Sequence, residues 1–234
     1  MAQVIRYLLA PHVPVLCRGL GVARTLQELY AGAPSPASGP ATVAITFDDG
    51  PHPEGTPMVL QALAGQGAKA TFFVVGEQVQ KWPELVRRIR DEGHAVGLHG
   101  MWHRAHPLRR ERELREDFRR GLAVVQDALG GPVGVHRPPF GLYSPASLEI
   151  TRELGLRPLM WSQWGRDWRK QTDSAQISRL VLRKVRAGDV ILLHDADHYS
   201  APGSHVRTAG ALPEILKTLA ADQFGTVCLE LMRT

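Results

Sequence analysis

Two adjacent carboxylates, Asp48 and Asp49, follow the apolar run Val43-Ala44-Ile45 and precede a Gly50-Pro51 turn. Consecutive strand side chains point to opposite faces, so an acidic pair is out of place inside a strand. At a strand's C-terminal end, with the chain already turning, both acids can tilt into one cleft. Like charges that close repel, and one pKa rises unless a cation sits between them. The pair therefore suits a metal for one carboxylate and proton chemistry for the other. Asp-Gly and Gly-Pro are also common turn dipeptides, and the pair alone reads equally as a turn. His99 and His103 tip the balance towards a metal. They stand four residues apart, and on one helical turn that spacing puts both imidazoles on one face. Two histidines and one carboxylate make a facial set with open positions, suited to zinc or another divalent transition metal.

Three further groups end or follow apolar runs: Arg137-Pro138-Pro139-Phe140-Gly141, Arg166-Asp167-Trp168 and Leu192-Leu193-His194. With Thr46-Phe47-Asp48-Asp49-Gly50 and His99-Gly100-Met101-Trp102-His103, they resemble, in order, the five motifs of the polysaccharide deacetylase family, carbohydrate esterase family four. The resemblance runs from about Ala41 to the C-terminus and implies a distorted, parallel (β/α) barrel, α/β in class, with seven strands. Two positions depart from the family pattern. Gly100 stands where Ser or Thr is usual, and Trp164 where the first Asp of the fourth motif is expected. Gly100 puts in question a side-chain hydrogen bond that shapes the histidine loop, and Trp164 the shape of the cleft.

Spacing and motif match together give Asp49, His99 and His103 as ligands of one divalent ion, zinc first, with cobalt, manganese or nickel as alternatives. Asp48 is then the expected general base, and Arg137 the cation that keeps it ionised and aimed. His194 is the expected general acid, a role suited by titration near neutrality. Asp167 is left to orient His194 or to pair with Arg137. The resemblance further implies that the Phe140 N–H faces an oxyanion, a contact worth ~3 kcal/mol in comparable sites. It implies that Leu192 and Trp168 wall a pocket for the acetyl methyl. The expected activity is hydrolysis that removes N-acetyl groups from an amino-sugar polymer or oligomer of chitin or peptidoglycan type. The alternatives are an O-acetyl ester, a lipid-linked formamido sugar or another C–N amide, and a non-catalytic carbohydrate-binding barrel. Of the remaining side chains, Tyr143 and Tyr199 are candidates for sugar contact, and His198 and His205 for the cleft wall.

These residues must be held by a scaffold, and 234 residues suit one sizeable α/β domain. Apolar runs predict strands at residues 42–47, 69–75, 94–98, 133–137, 157–162, 189–194 and 225–231. Helical spacing predicts helices at 56–66, 82–92, 109–129, 144–154, 174–186 and 208–221. Strands alternating with helices indicate a parallel sheet or barrel, whose chemistry sits at the C-terminal strand ends. Residues 1–40 read as an N-terminal extension and linker, and 41–234 as the catalytic domain. Within the extension, Val22, Leu26, Leu29 and Tyr30 share one helical face expected to pack on the barrel. Residues 33–40, rich in Pro, Ser and Ala, read as the linker.

Net charge is +5, yet no block of like charge appears. The densest stretch, Arg109 to Arg120, mixes signs around a Leu114, Phe118, Leu122, Val125 stripe, the pattern of a solvated helix with one buried face. Nucleic-acid binding is not expected. Cys17 and Cys228 form no metal-like cluster and are expected as free thiols. No stretch has the length of a membrane span. Met1 to Leu20 carries no clear signal peptide, an expectation of a cytoplasmic chain, whereas the resemblance implies the cell envelope or the exterior. The expected partner is a carbohydrate; oligomeric state is not legible.

Overall fold

The computed structural model describes residues 14–31 and 41–229. The linker at 33–40 lies outside these residues, as do the first thirteen. Eight strands are described: β1 (Thr42–Asp48), β2 (Ala70–Val74), β3 (Ala95–Leu98), β4 (Val135–His136), β5 (Arg157–Pro158), β6 (Gln163–Trp164), β7 (Val190–His194) and β8 (Gly225–Thr226). Seven form one ladder in the order β5-β4-β3-β2-β1-β7-β6, all parallel, with β8 paired to the start of β1. This is a curled, seven-stranded parallel half-barrel, as the motifs implied.

The connecting helices are α3 (Gly55–Ala64), α4 (Gly76–Val79), α5 (Pro83–Asp91), α6 (Glu111–Leu129), α7 (Pro145–Glu153), α8 (Ser174–Leu182) and α9 (Ser204–Ala221). Two short ones, α1 (Pro14–Gly19) and α2 (Leu26–Leu29), precede the barrel. Strand alternation separates two cores. Val43, Ile45 and Phe47 of β1, with Ile191 and Leu193 of β7, join the layer beneath the helices. Ala44, Val190 and Leu192 point into the barrel, beside Phe73 and Trp161. The inward set of β1 continues to Thr46 and Asp48, which places polar groups at the barrel mouth.

The predicted strand at 157–162 is split. After β5 the chain passes its hydrogen bonds from one partner to another: Leu159 N–H to His136 O at 3.0 Å, Met160 N–H to Ala23 O at 2.8 Å, then Ser162 N–H to Val190 O at 2.9 Å. The seven-strand ladder has no β5–β6 pair, and residues 23–25 lie across that seam, bridging Leu159 and Asp189. Behind them, Cys17, Val22, Leu26, Leu29 and Tyr30 are buried against Ala44, Val135 and Val190. The apolar face of the N-terminal segment thus packs into the barrel from the end opposite the motifs. The predicted last strand, 225–231, pairs only at Gly225–Thr226, and its final residues lie outside those described.

Candidate active site

Five strand ends, those of β1, β3, β4, β6 and β7, and the loops after them build the site. Asp48 is the last residue of β1, and Asp49 leaves it with φ +78. Four described non-glycine residues have positive φ, and three of them stand at motif positions: Asp49, Phe140 (φ 59) and Arg166 (φ 53). Left-handed backbone costs an L-residue of order 1–3 kcal/mol and persists where the surroundings over-determine it. Here it turns Asp49 away from the strand and beside Asp48.

His99 and His103 do not lie on a helical turn. They occupy an irregular bend after β3, with Gly100 at φ +90. Their rings converge all the same, with centroids 5.4 Å apart. The bend is held from outside by Asp117 of α6, whose carboxylate accepts the N–H of Met101 at 2.8 Å and of Trp102 at 3.3 Å. A Cβ on Gly100 would meet Asp117 Oδ1 at 3.0 Å and the Trp102 carbonyl at 3.2 Å. A helix carboxylate therefore shapes this loop in a chain that has no hydroxyl side chain at position 100. Burial pushes the Asp117 pKa up to about 6 despite the two backbone N–H donors.

Asp49 Oδ1 lies 3.4 Å from His99 Nε2 and 3.2 Å from His103 Nε2. It is buried and takes no hydrogen bond. His99 Nδ1 sits 2.8 Å from the Arg137 carbonyl, which can only accept. Nδ1 of His99 therefore carries a proton, which in the neutral ring leaves the Nε2 lone pair facing Asp49. One carboxylate oxygen and two ring nitrogens converge on one point. Ligands bonded at about 2.0–2.1 Å in a tetrahedron are about 3.3–3.4 Å apart, the separation seen here. The residues fit a divalent ion with an open position. Burial alone would raise the Asp49 pKa, but the contacts with His103 and His99, and the His194 charge, hold it well below the usual carboxylate range.

Asp48 is held by Arg137, Nη1 to Oδ1 at 2.7 Å. Arg137 is fully buried. Its other donors reach Thr46 Oγ1 at 2.8 Å and the Met160 carbonyl at 2.8 Å, and its guanidinium lies 4.1 Å from the Phe73 ring centroid. Burial lowers the Arg137 pKa and the Asp48 charge opposes this. Asp167 does not pair with Arg137. Its Oδ1 lies 3.0 Å from His194 Nδ1, and its Oδ2 accepts the His194 N–H at 2.7 Å and the Thr208 hydroxyl at 2.8 Å. His194 ends β7 directly opposite Asp48. Burial would lower its pKa, but Asp167, with Asp49 and Asp48, pushes it up to about 10 instead of leaving it near neutral.

Together Asp48, Asp49, His99, His103, Phe140, Leu192, Trp168 and His194 line one cleft of about 380 Å³. Trp161 and Trp164 add to its wall, so Trp164 faces the cleft between two other indoles. Phe140 stands on the rim, 57% exposed. No acceptor among the described residues takes its N–H. Tyr199 also lines the cleft, whereas Tyr143 is buried and bonded to His136. His198 and His205 stand outside that wall. His205 and His52 instead flank Asp197, at 3.2 and 3.4 Å. This second group differs from the first in one decisive contact. His52 Nδ1 accepts the N–H of Gly55 at 2.9 Å, so the ring proton is on Nε2 and points at Asp197. His52 therefore donates there and offers no lone pair to a metal. Asp117, Thr208 and the Glu77–Gln78 pair beside Tyr199 were not legible as site residues: none belongs to a motif, and each is brought in by topology.

Comparison with known proteins places this arrangement among others. The family model described as polysaccharide deacetylase matches residues 36–159. A peptidoglycan-N-acetylglucosamine deacetylase of Bacillus cereus is 34% identical over 82% of this chain and 88% of its own length. A chitooligosaccharide deacetylase of Azorhizobium caulinodans is 33% identical over 79% and 90%. A solved peptidoglycan N-acetylglucosamine deacetylase, in complex with 4-naphthalen-1-yl-N-oxidanyl-benzamide, superposes with a TM-score of 0.79 at 30% identity, covering 91% of this chain and 92% of that one. A family 4 carbohydrate esterase from Streptomyces lividans, in complex with acetate, gives 0.72 at 28% identity, over 81% and 93%.

Proposed function

The chain belongs to the polysaccharide deacetylase family, and on that premise we propose how its own residues carry out the reaction. It is a deacetylase of carbon–nitrogen amide bonds. Its substrate is proposed to be an N-acetylated amino-sugar polymer or oligomer of chitin or peptidoglycan type. A wall-type substrate carries the working place with it, the cell envelope or the exterior.

One observation supports this reading above the others. Asp49 Oδ1, buried without a hydrogen bond, meets the ring nitrogens of His99 and His103 between two carboxylate-supported groups, Asp48–Arg137 and His194–Asp167. Asp49, His99 and His103 would hold one divalent ion, zinc first among zinc, cobalt, manganese and nickel. What such an ion supplies is Lewis acidity towards the attacking water and the substrate carbonyl.

The chain's residues do the rest. Asp48 takes the proton of the water as it attacks, and Arg137 aims that carboxylate. The Phe140 N–H, left without an acceptor, faces the developing oxyanion. Leu192 and Trp168 enclose the acetyl methyl and exclude water from it. His194 delivers its Nε2 proton to the leaving nitrogen, and Asp167 fixes the ring by holding Nδ1. A raised His194 pKa keeps that proton in place at neutral pH.

Acetate release from N-acetylglucosamine oligomers, peptidoglycan fragments and acetylated xylan tests the reading. Turnover is expected on an N-acetylated glycan, and Asp48→Asn should keep the metal while losing about 10²–10⁴ in rate. Acetate from xylan alone would move the assignment to an ester, and metal loss in Asp48→Asn would overturn the role given to that carboxylate.

A further inference from the structure

We infer that Tyr199 is a positioning residue for His103, holding the ring by its π-face where a hydrogen bond holds His99. The inference rests on the proposed roles of Asp49, His99 and His103. Metal-binding histidines are ordinarily oriented by a bond from the second ring nitrogen. His99 has one, from Nδ1 to the Arg137 carbonyl at 2.8 Å. His103 has none among the described residues. Two aromatic rings take its place. The Tyr199 ring stacks on His103 with centroids 4.1 Å apart and planes within 8°. Phe140 closes on the imidazole at 4.3 Å and 60°. Left to one rotatable bond, the His103 ring could turn away from Asp49; a face-to-face phenol and a tilted phenyl block that turn.

Tyr199 is itself tethered. Its hydroxyl donates to Glu77 Oε1 at 2.5 Å and accepts from Gln78 Nε2 at 2.9 Å. Both partners lie on α4, and that helix is joined to the histidine bend: Gly76 N–H bonds the Gly100 carbonyl and Glu77 N–H the Met101 carbonyl, each at 2.9 Å. Tyr199 lies five residues after His194 in sequence. The stack therefore links the loop that follows the proposed general acid to the loop that carries the proposed metal ligand. Both loops are referenced to one short helix.

Zinc affinity by chelator competition and the visible spectrum of the cobalt-loaded protein test this on the full chain. Tyr199→Leu removes the π-face and keeps apolar bulk. It is expected to bind zinc about 10–100-fold more weakly and to change the cobalt band, with the unfolding temperature of the metal-free protein unchanged. Tyr199→Phe keeps the stacked ring and should rescue both readouts to within about threefold of the parent, marking the stack and not the tether as the larger part. Parental zinc affinity and spectrum in Tyr199→Leu would overturn the inference, as would a Phe variant as weak as the Leu one. A parent chain that binds no zinc would instead overturn the ligand set beneath it, so the two failures are distinguishable.

Discussion

His194 carries the site's most direct pH dependence. Burial opposes its charge, but Asp167 at 3.0 Å outweighs burial, and the pKa is pushed up to about 10. An unfolded histidine titrates near ~6.5. The folded value is higher, so the bound proton stabilises the fold fully below that pH, and the contribution is lost as pH rises towards 10. Asp167→Asn should lower the His194 pKa by roughly one to three units. The alkaline limb of kcat/KM should then move to lower pH by a similar amount, with the acid limb in place. An unmoved limb would take the general-acid role from His194. The convergence of Asp48–Asp49, the histidine pair and Arg137 was legible in the chain alone, because each side-chain type is costly without a purpose. Tyr199 stood out only as a candidate for sugar contact, and Asp117 not at all, because an aromatic in a loop and an acid in a charged helix have ordinary uses.

At the scale of elements, the histidine bend is set by α6 rather than by its own sequence. Spacing suggested a helical turn for His99 and His103, yet Gly100 at φ +90 breaks one, and Asp117 accepts two backbone N–H groups in its place. Asparagine offers one acceptor oxygen where the carboxylate offers two. Asp117→Asn should leave α6 folded and weaken metal binding by about 10–100-fold, measured by chelator competition; unchanged affinity would mean the bend keeps its shape without that carboxylate. The longer strands were readable because both faces are buried in apolar runs, as in β1 and β7. The break within 157–162 was not readable. It arises because Met160 bonds Ala23, a partner more than a hundred residues away.

At the scale of the molecule, the site and its support sit at opposite ends of the barrel. The motif residues cluster where the strands end, while Cys17, Val22, Leu26 and Leu29 pack where they begin. Residues 22–30 were expected to lie on the barrel; their place across the β5–β6 seam was not foreseeable, since it depends on where the ladder stays open. Leu26 is fully buried. Leu26→Ala should cost about 2–5 kcal/mol of stability, read by denaturant unfolding, with turnover per folded molecule unchanged. A loss of turnover without a loss of stability would place that segment in the catalytic machinery instead.

One ion held by Asp49, His99 and His103 is proposed to make this cleft a deacetylase. Titrating chelator-stripped protein with zinc and following acetate release from an N-acetylglucosamine oligomer tests this most directly. The account predicts no release from the stripped chain, a linear rise, and a break at one equivalent, with no recovery in His103→Ala. Full activity without metal, or full recovery in the His103 variant, would contradict it.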